Sequence, residues 1–408
     1  MVKHIIALVF IFISTTIAWF ILGAITEHRT YTMDSKLKRV VGELWGTIQQ
    51  QSAPSIYYLT REEKTIKTTQ GSEVVKETQM ETIRHNLKLD GSKIKVNIEL
   101  TPRKKGLLWY PTYKVTFDSN YTVLNTFNEE KELYFEYLFP TVNGVYDNFK
   151  LTVDNKNIKD FSPQDGYLTY SSNFKPNETK LISVSYQTQG MNEWWYKFGN
   201  DVSQIRNFDL EMTTDFNNID FPDNSISPTD KKVAGKGWIL NWNYSNLISG
   251  IQIGMKMPQK LNPGPFISKV TFFAPVSLFL FMFLVFIIST LKNVKIHPMN
   301  YFFIAGAFFS FHLLIAYLGD LIDIHLAFLI SSIVSITLVI SYMRLVVGKK
   351  FAFIEVGISQ FVYLILFSYA FFFEGYTGLA ITICCILTLF IVMQATGKLN
   401  WEEVFSKK

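Results

Sequence analysis

Three ionisable residues, His312, Arg344 and Glu355, sit within stretches that are otherwise apolar. An ionisable group held in hydrocarbon is costly, so its presence points by default to proton exchange, ion passage or a buried ion pair. His312 is the deepest of the three: at about 1.5 Å rise per residue it lies roughly 17 Å along a helix from Tyr301. It reads either as a proton-exchanging group or as a neutral imidazole bonded to a hydroxyl on a neighbouring helix, Ser331 or Ser335. A lone histidine favours the second. Arg344 and Glu355 flank the loop around Gly348 at matching distances, which predicts an ion pair that locks a helical hairpin. Recognition rather than reaction is suggested by Trp194-Trp195-Tyr196. Neighbouring residues of a strand point to opposite faces, so both tryptophans cannot be core, and one is expected at a surface for a ligand or partner.

Catalytic fingerprints are missing from the sequence. No His-Glu-x-x-His, Gly-x-Ser-x-Gly, phosphate-loop or dinucleotide pattern occurs, and Gly235-Lys236-Gly237 reads as a turn. The 6 histidines are scattered, and the 2 cysteines, Cys384 and Cys385, are adjacent inside an apolar stretch. Neither a metal site nor a disulfide framework is therefore expected. The reading is of a protein without cofactor or enzymatic activity. The formal charge of +5 does not imply a nucleic-acid partner, because Thr26 to Lys269 holds 30 basic and 28 acidic residues and the basic excess belongs to the apolar regions' loops and ends.

The elements that must position these residues begin with the last third of the chain. Crossing a bilayer takes about 20 apolar residues per helix. Five blocks approach that length: Val270 to Leu291, Tyr301 to Leu318, His325 to Val347, Phe351 to Phe373 and Tyr376 to Ala395. The loops between them sort by charge, with Lys292, Lys295, Lys349 and Lys350 on one side and Asp320, Asp323 and Glu374 on the other. The positive-inside rule makes the lysine side cytoplasmic. Residues Ile5 to Ile25, behind Lys3, are too long for a signal peptide's apolar core and read as an uncleaved anchor. Trp19-Phe20, Tyr301, Tyr317, Tyr342, Tyr369, Tyr376 and Trp401 read as interfacial anchors. Six spans then leave both termini cytoplasmic, with Lys398, Lys407 and Lys408 at the inner end and residues 26–269 outside.

Between the anchor and the five-helix block, Asp34 or Ser35 is expected to cap a short helix with an apolar stripe at Leu37, Val40, Val41, Leu44 and Ile48. From Ser55 to Pro258 the period is two: Ile94, Val96, Ile98 and Leu100 alternate with polar residues, as do Tyr113, Val115 and Phe117, then Trp238, Leu240, Trp242 and Tyr244. Asp90-Gly91 reads as a hairpin turn. About ten strands predict one or two antiparallel β-sandwiches. The fold class is a multi-pass α-helical membrane protein with a large extracytoplasmic, mainly antiparallel β domain. Its expected parts are an anchor (1–25), a membrane-proximal helix (26–51), the β domain (52–257), a Pro-rich connector (258–269), a transmembrane block (270–395) and a cytoplasmic tail (396–408).

With these elements placed, Lys295-Ile296-His297-Pro298-Met299-Asn300-Tyr301 resembles the cytoplasmic loop and following helix of the CreD family of bacterial inner-membrane proteins. Glu374-Gly375-Tyr376-Thr377-Gly378-Leu379-Ala380 is similar to that family's Glu-Asp-Tyr-Ala-Leu-Leu stretch, Asn400-Trp401 to its closing Asp-Trp, and Leu44-Trp45-Gly46 to its Trp-containing helix after the anchor. Gly375 and Asn400 stand where the family has acidic residues. The resemblance implies an inner-membrane protein of cell-envelope integrity or envelope-stress response. The bilayer is its first partner, and another envelope protein, a glycan or a lipid its second. The reading from another class is a transporter or lipid-handling protein that uses the five-helix block.

Overall fold

The computed structural model describes residues 2–70, 73–199, 202–373 and 375–397. Glu374, Lys398, Asn400, Trp401, Lys407 and Lys408, which the sequence reading placed in a loop and the tail, lie outside the described residues, as does the Lys3 side chain. The chain divides into two compact units: Met1–Lys36, Gly106–Leu108 and Leu261–Lys408 form a helical unit, and Leu37–Lys105 and Trp109–Lys260 form a β unit.

Among the described residues six helices are long and apolar enough to cross a membrane. They are α1 (Val2–Trp45), α2 (Pro263–Leu291), α3 (Pro298–Leu321), α4 (Ile324–Val347), α5 (Phe351–Phe372) and α6 (Thr377–Thr396). Their starts follow from local chemistry. Asp323 accepts bonds from the His325 and Leu326 amides at 2.9 and 3.3 Å to begin α4, and His297 Nδ1 accepts from the Met299 amide at 3.2 Å ahead of Pro298 in α3. Helix α2 begins inside the segment read as an extended connector. Pro263 and Pro265 fall in its first turn, where a missing N–H forfeits no intrahelical bond. Within α5 two π-helical turns, Phe351–Val356 and Phe361–Leu366, flank Gly357–Gln360.

The expected separate helix over 26–51 does not exist. Asp34 and Ser35 are capping residue types, but no proline or glycine precedes them closely enough to stop the helix, and α1 runs through them to Trp45. It ends at Gly46, whose φ of 94° admits glycine readily and whose missing side chain leaves room for the Gln189 carbonyl.

In the β unit the strands are, in chain order, β1 (Gln49–Ser52), β2 (Ser55–Gln70), β3 (Glu73–Leu87), β4 (Gly91–Leu100), β5 (Arg103–Lys105), β6 (Leu108–Tyr110), β7 (Thr112–Leu124), β8 (Lys131–Leu138) and β9 (Asp147–Val153). There follow β10 (Lys156–Ile158), β11 (Tyr167–Phe174), β12 (Thr179–Met191), β13 (Glu193–Lys197), β14 (Ser203–Thr214), β15 (Asp230–Ala234), β16 (Gly237–Ser249) and β17 (Ile253–Lys256). An eight-stranded sheet has the order β10-β9-β12-β7-β4-β14-β16-β15, a four-stranded one β11-β8-β2-β3, and a three-stranded one β1-β13-β17. The period-two residues do what their alternation requires. Ile94, Val96, Ile98, Tyr113, Val115 and Phe117 of the large sheet meet Ile56, Leu133, Phe135 and Tyr137 of the four-stranded sheet in one core.

Two details depart from an all-antiparallel sandwich. The β4–β14 and β1–β13 pairs are parallel, and Asp90-Gly91 is no hairpin turn, because β3 and β4 belong to different sheets. The chain crosses between layers there, held by the Asp90 amide bonded to the Thr122 carbonyl at 3.1 Å. The unit's chain ends meet: the Met191 amide donates to the Thr47 carbonyl at 3.1 Å and the Met257 amide to the Asn192 carbonyl at 2.8 Å.

Candidate functional site

Strand β13 carries the aromatic triplet in the middle of the small sheet. Trp194 and Tyr196 are fully buried, and Trp195 takes the other face, partly buried. The Trp195 ring lies against Gly254, where a side chain would collide with it, and its Nε1 donates to Glu193 Oε2 at 2.9 Å. Of the triplet, Trp195 alone is partly exposed. Beneath it lies a polar core that the sequence did not announce. Gln51, buried on β1, accepts from the Tyr137 and Tyr186 hydroxyls at 2.6 and 2.7 Å and donates to the Leu138 and Ser52 carbonyls at 3.1 and 2.7 Å. Burial pushes the Tyr137, Tyr186 and Tyr196 hydroxyls well above the ordinary tyrosine value, and the Tyr121 hydroxyl up to about 12. These phenols stay protonated near neutrality, and those of Tyr137 and Tyr186 serve as donors that hold the core through Gln51.

The opposite, solvent-facing side of the eight-stranded sheet bears a cleft of about 350 Å³ lined by Lys95, Val96, Asn97, Thr116, Asp118, Glu211 and Thr213. Register explains the assembly: Lys95 on β4 faces Asp118 on β7 and Glu211 on β14, and Asn97 faces Thr116 and Thr213 on the same two strands. A negative–positive–negative row thus lies beside a neutral row of amide and hydroxyls, about 7 Å further along the strands. Among the described residues Lys95, Asp118 and Glu211 form no ion pair. The arrangement offers both signs of charge and several donors and acceptors to a polar ligand. Sequence reading missed it because alternation marks these residues only as outward-facing. What brings Asp118 and Glu211 to either side of Lys95 is pairing between distant strands.

In the helical unit, α3 packs along α1. His312 is fully buried with Trp19 of α1 at a ring-centroid distance of 5.7 Å and Phe311 at 4.9 Å, both edge-on. Neither ring nitrogen makes a hydrogen bond in good geometry, and nor does Trp19 Nε1. The expected hydroxyl partners are otherwise engaged: Ser331 donates to the Ala327 carbonyl and Ser335 to that of Ala307, both at 2.7 Å. Trp19 and Tyr301 are buried, not interfacial.

Glu355 does not pair with Arg344. Its partner is Lys292, just past the end of α2, and Arg344 is exposed without an ion pair among the described residues. Sequence reading also overlooked Gln360, wholly buried between the two π-helical turns, whose Nε2 donates to Ser335 Oγ at 3.0 Å while Oε1 accepts from no donor among the described residues. It overlooked as well the ion pair of Arg29 with Asp320 at 2.6 Å, which ties α1 to α3. The signal for that pair was present, since opposite charges sit at the same ends of two parallel apolar stretches.

Among the described residues no group of three or more His, Cys, Asp or Glu is placed to hold a metal ion. Among curated proteins none matches this chain. A solved structure from Legionella pneumophila, titled a "putative nutrient binding protein", is similar at 12% identity, covering 55% of this chain and 74% of that one, with a TM-score of 0.32. That likeness is too slight to carry an argument. The family model described as inner membrane protein CreD, by contrast, matches residues 1–402. With an N-terminal apolar helix, a large β region and five further apolar helices along that same length, the chain belongs to the CreD family of inner membrane proteins.

Proposed function

We propose that this protein is a non-enzymatic component of the bacterial envelope whose β unit, on the outer side of the inner membrane, binds an envelope constituent at the Lys95–Asp118–Glu211 cleft. The orientation, with both termini cytoplasmic and residues 26–269 outside, is supported by Lys292, Lys295, Arg344, Lys349 and Lys350 at one set of span ends against Asp320 and Asp323 at the other. The observation that carries the binding reading is the cleft itself, in which charges of both signs are neighbours by register yet unpaired. Lys95 and Asp118 are exposed and Glu211 half-buried, so all three are open to charge-assisted bonds from a ligand. The test is capture from envelope extract by the full-length protein in nanodiscs, with mass spectrometry of what is retained. An envelope component held by the wild type and lost from Lys95→Met and Glu211→Gln is the expected result. Capture that ignores both substitutions, or no capture, refutes the reading.

One observation favours a second reading, transport by the helical unit: His312, Gln360 and Glu355 each carry a buried polar atom without a partner. Proteoliposomes that show solute or lipid movement dependent on His312 and Gln360 would replace the first reading by this one.

A further inference from the structure

The binding reading leaves the ligand's chemistry open, and the charge order of the cleft narrows it. Strands in a sheet are about 4.8 Å apart, so Asp118 and Glu211 stand roughly 10 Å from each other with Lys95 midway between them. The register that sets this order is continuous on both sides, Lys95 pairing with Asp118 across the antiparallel β4–β7 ladder and with Glu211 across the parallel β4–β14 ladder. A ligand complementary to negative–positive–negative has two cationic groups with an anionic one between. Neutral sugars lack all three, simple zwitterionic amino acids lack the second cation, and polyamines lack the anion.

Resting on the reading of the β unit as an envelope-binding module, we propose that the cleft is a site for a free diamino acid of the lysine or ornithine type. Its α-ammonium meets Asp118, its carboxylate meets Lys95, and its side-chain ammonium reaches Glu211. Three charge-assisted contacts on an open surface give selectivity more than affinity, because each is screened by water and salt. The ligand is therefore held weakly.

The experiment is ligand-observed NMR with the full-length protein in nanodiscs, using free L-lysine as probe, with cadaverine (no carboxylate) and norleucine (no second ammonium) as comparators. Lysine is expected to bind at least tenfold more tightly than either. Lys95→Met should erase the preference over cadaverine, and Glu211→Gln the preference over norleucine. Both side chains lie on the sheet's outer face, so far-UV circular dichroism should show the fold intact. Equal binding of the three compounds, no binding of lysine, or selectivity unchanged in both variants overturns the proposal. The two readings fail separately: if an envelope component is captured through the cleft but lysine does not compete with it, only the ligand class falls. If nothing is captured through the cleft, the binding reading falls with it.

Discussion

Replacing Gln51 by leucine tests whether the polar core under β13 holds the β unit together. Leucine has similar bulk but no polar atom, so the Tyr137 and Tyr186 hydroxyls, now 2.6 and 2.7 Å from Gln51 Oε1, both lose their acceptor. Both rings are fully buried, so water cannot take its place. A buried donor left unpaired costs about 1–3 kcal/mol, so the two together cost about 2–6 kcal/mol. Removing the hydroxyls as well, in Gln51→Leu with Tyr137→Phe and Tyr186→Phe, leaves no orphaned donor and should recover most of the loss. Whole-chain melting is the wrong readout, because two units need not unfold together. Hydrogen exchange of the β8 and β12 amides in nanodiscs reports the β unit alone. The single variant should accelerate it by at least about thirtyfold, the equivalent of about 2 kcal/mol, with the triple variant returning towards wild type. Unchanged exchange in Gln51→Leu, or a triple variant worse than the single one, refutes the reasoning.

Arg29→Met should destabilise the docking of α1 more than the double variant with Asp320→Asn does, with a coupling of about 1–2 kcal/mol, read as detergent thermostability of the full chain; a coupling of zero would make the 2.6 Å pair ornamental. Exchanging the charges of Lys292 and Glu355 together should restore folded yield that either single reversal lowers, whereas Arg344→Glu should leave yield unchanged. Alkaline pH should loosen the β unit. Burial raises Tyr121 and Tyr146 to about 12 from about 10 in the unfolded chain, so below pH 10 both states keep their protons and stability is indifferent to pH. Between 10 and 12 the unfolded state loses them first, and stability falls by about 1.4 kcal/mol per pH unit for each such tyrosine. Tyrosinate absorbance followed beside circular dichroism checks this, and ionisation of these two at about 10 without loss of structure contradicts it.

How much was legible depended on the range of the cause. Apolar length alone located the spans, and alternation alone located Ile94, Val96 and Ile98 in a core, because both patterns are set by the local backbone period. The start of α2 was misplaced because Pro263 and Pro265 were read as part of a Pro-rich connector where they open a helix. The partner of Glu355 was misassigned for a geometric reason: counting residues from a loop gives a group's depth along its helix but not the side of the helix on which it lies. Arg344 shared the depth, and Lys292 shared the face. The Lys95 cleft and the Gln51 core were illegible because both arise between strands far apart in sequence, Lys95 in register with Glu211 and Gln51 hydrogen-bonded to Tyr186, which no local pattern encodes.

The meeting of the β unit's two chain ends on Met191 and Asn192 bears on how such a protein is built and changed. Thr47 and Met257 are anchored to consecutive residues, so once folded the whole stretch between them closes the way a short hairpin would. For α1 and α2 the entropy of joining is that of a small gap rather than of a long flexible chain. A domain with this property is a cassette. It can be exchanged for another whose ends also lie side by side, or lengthened internally, without asking the helices to find new partners. Change within the β unit is thereby uncoupled from change in the apolar helices.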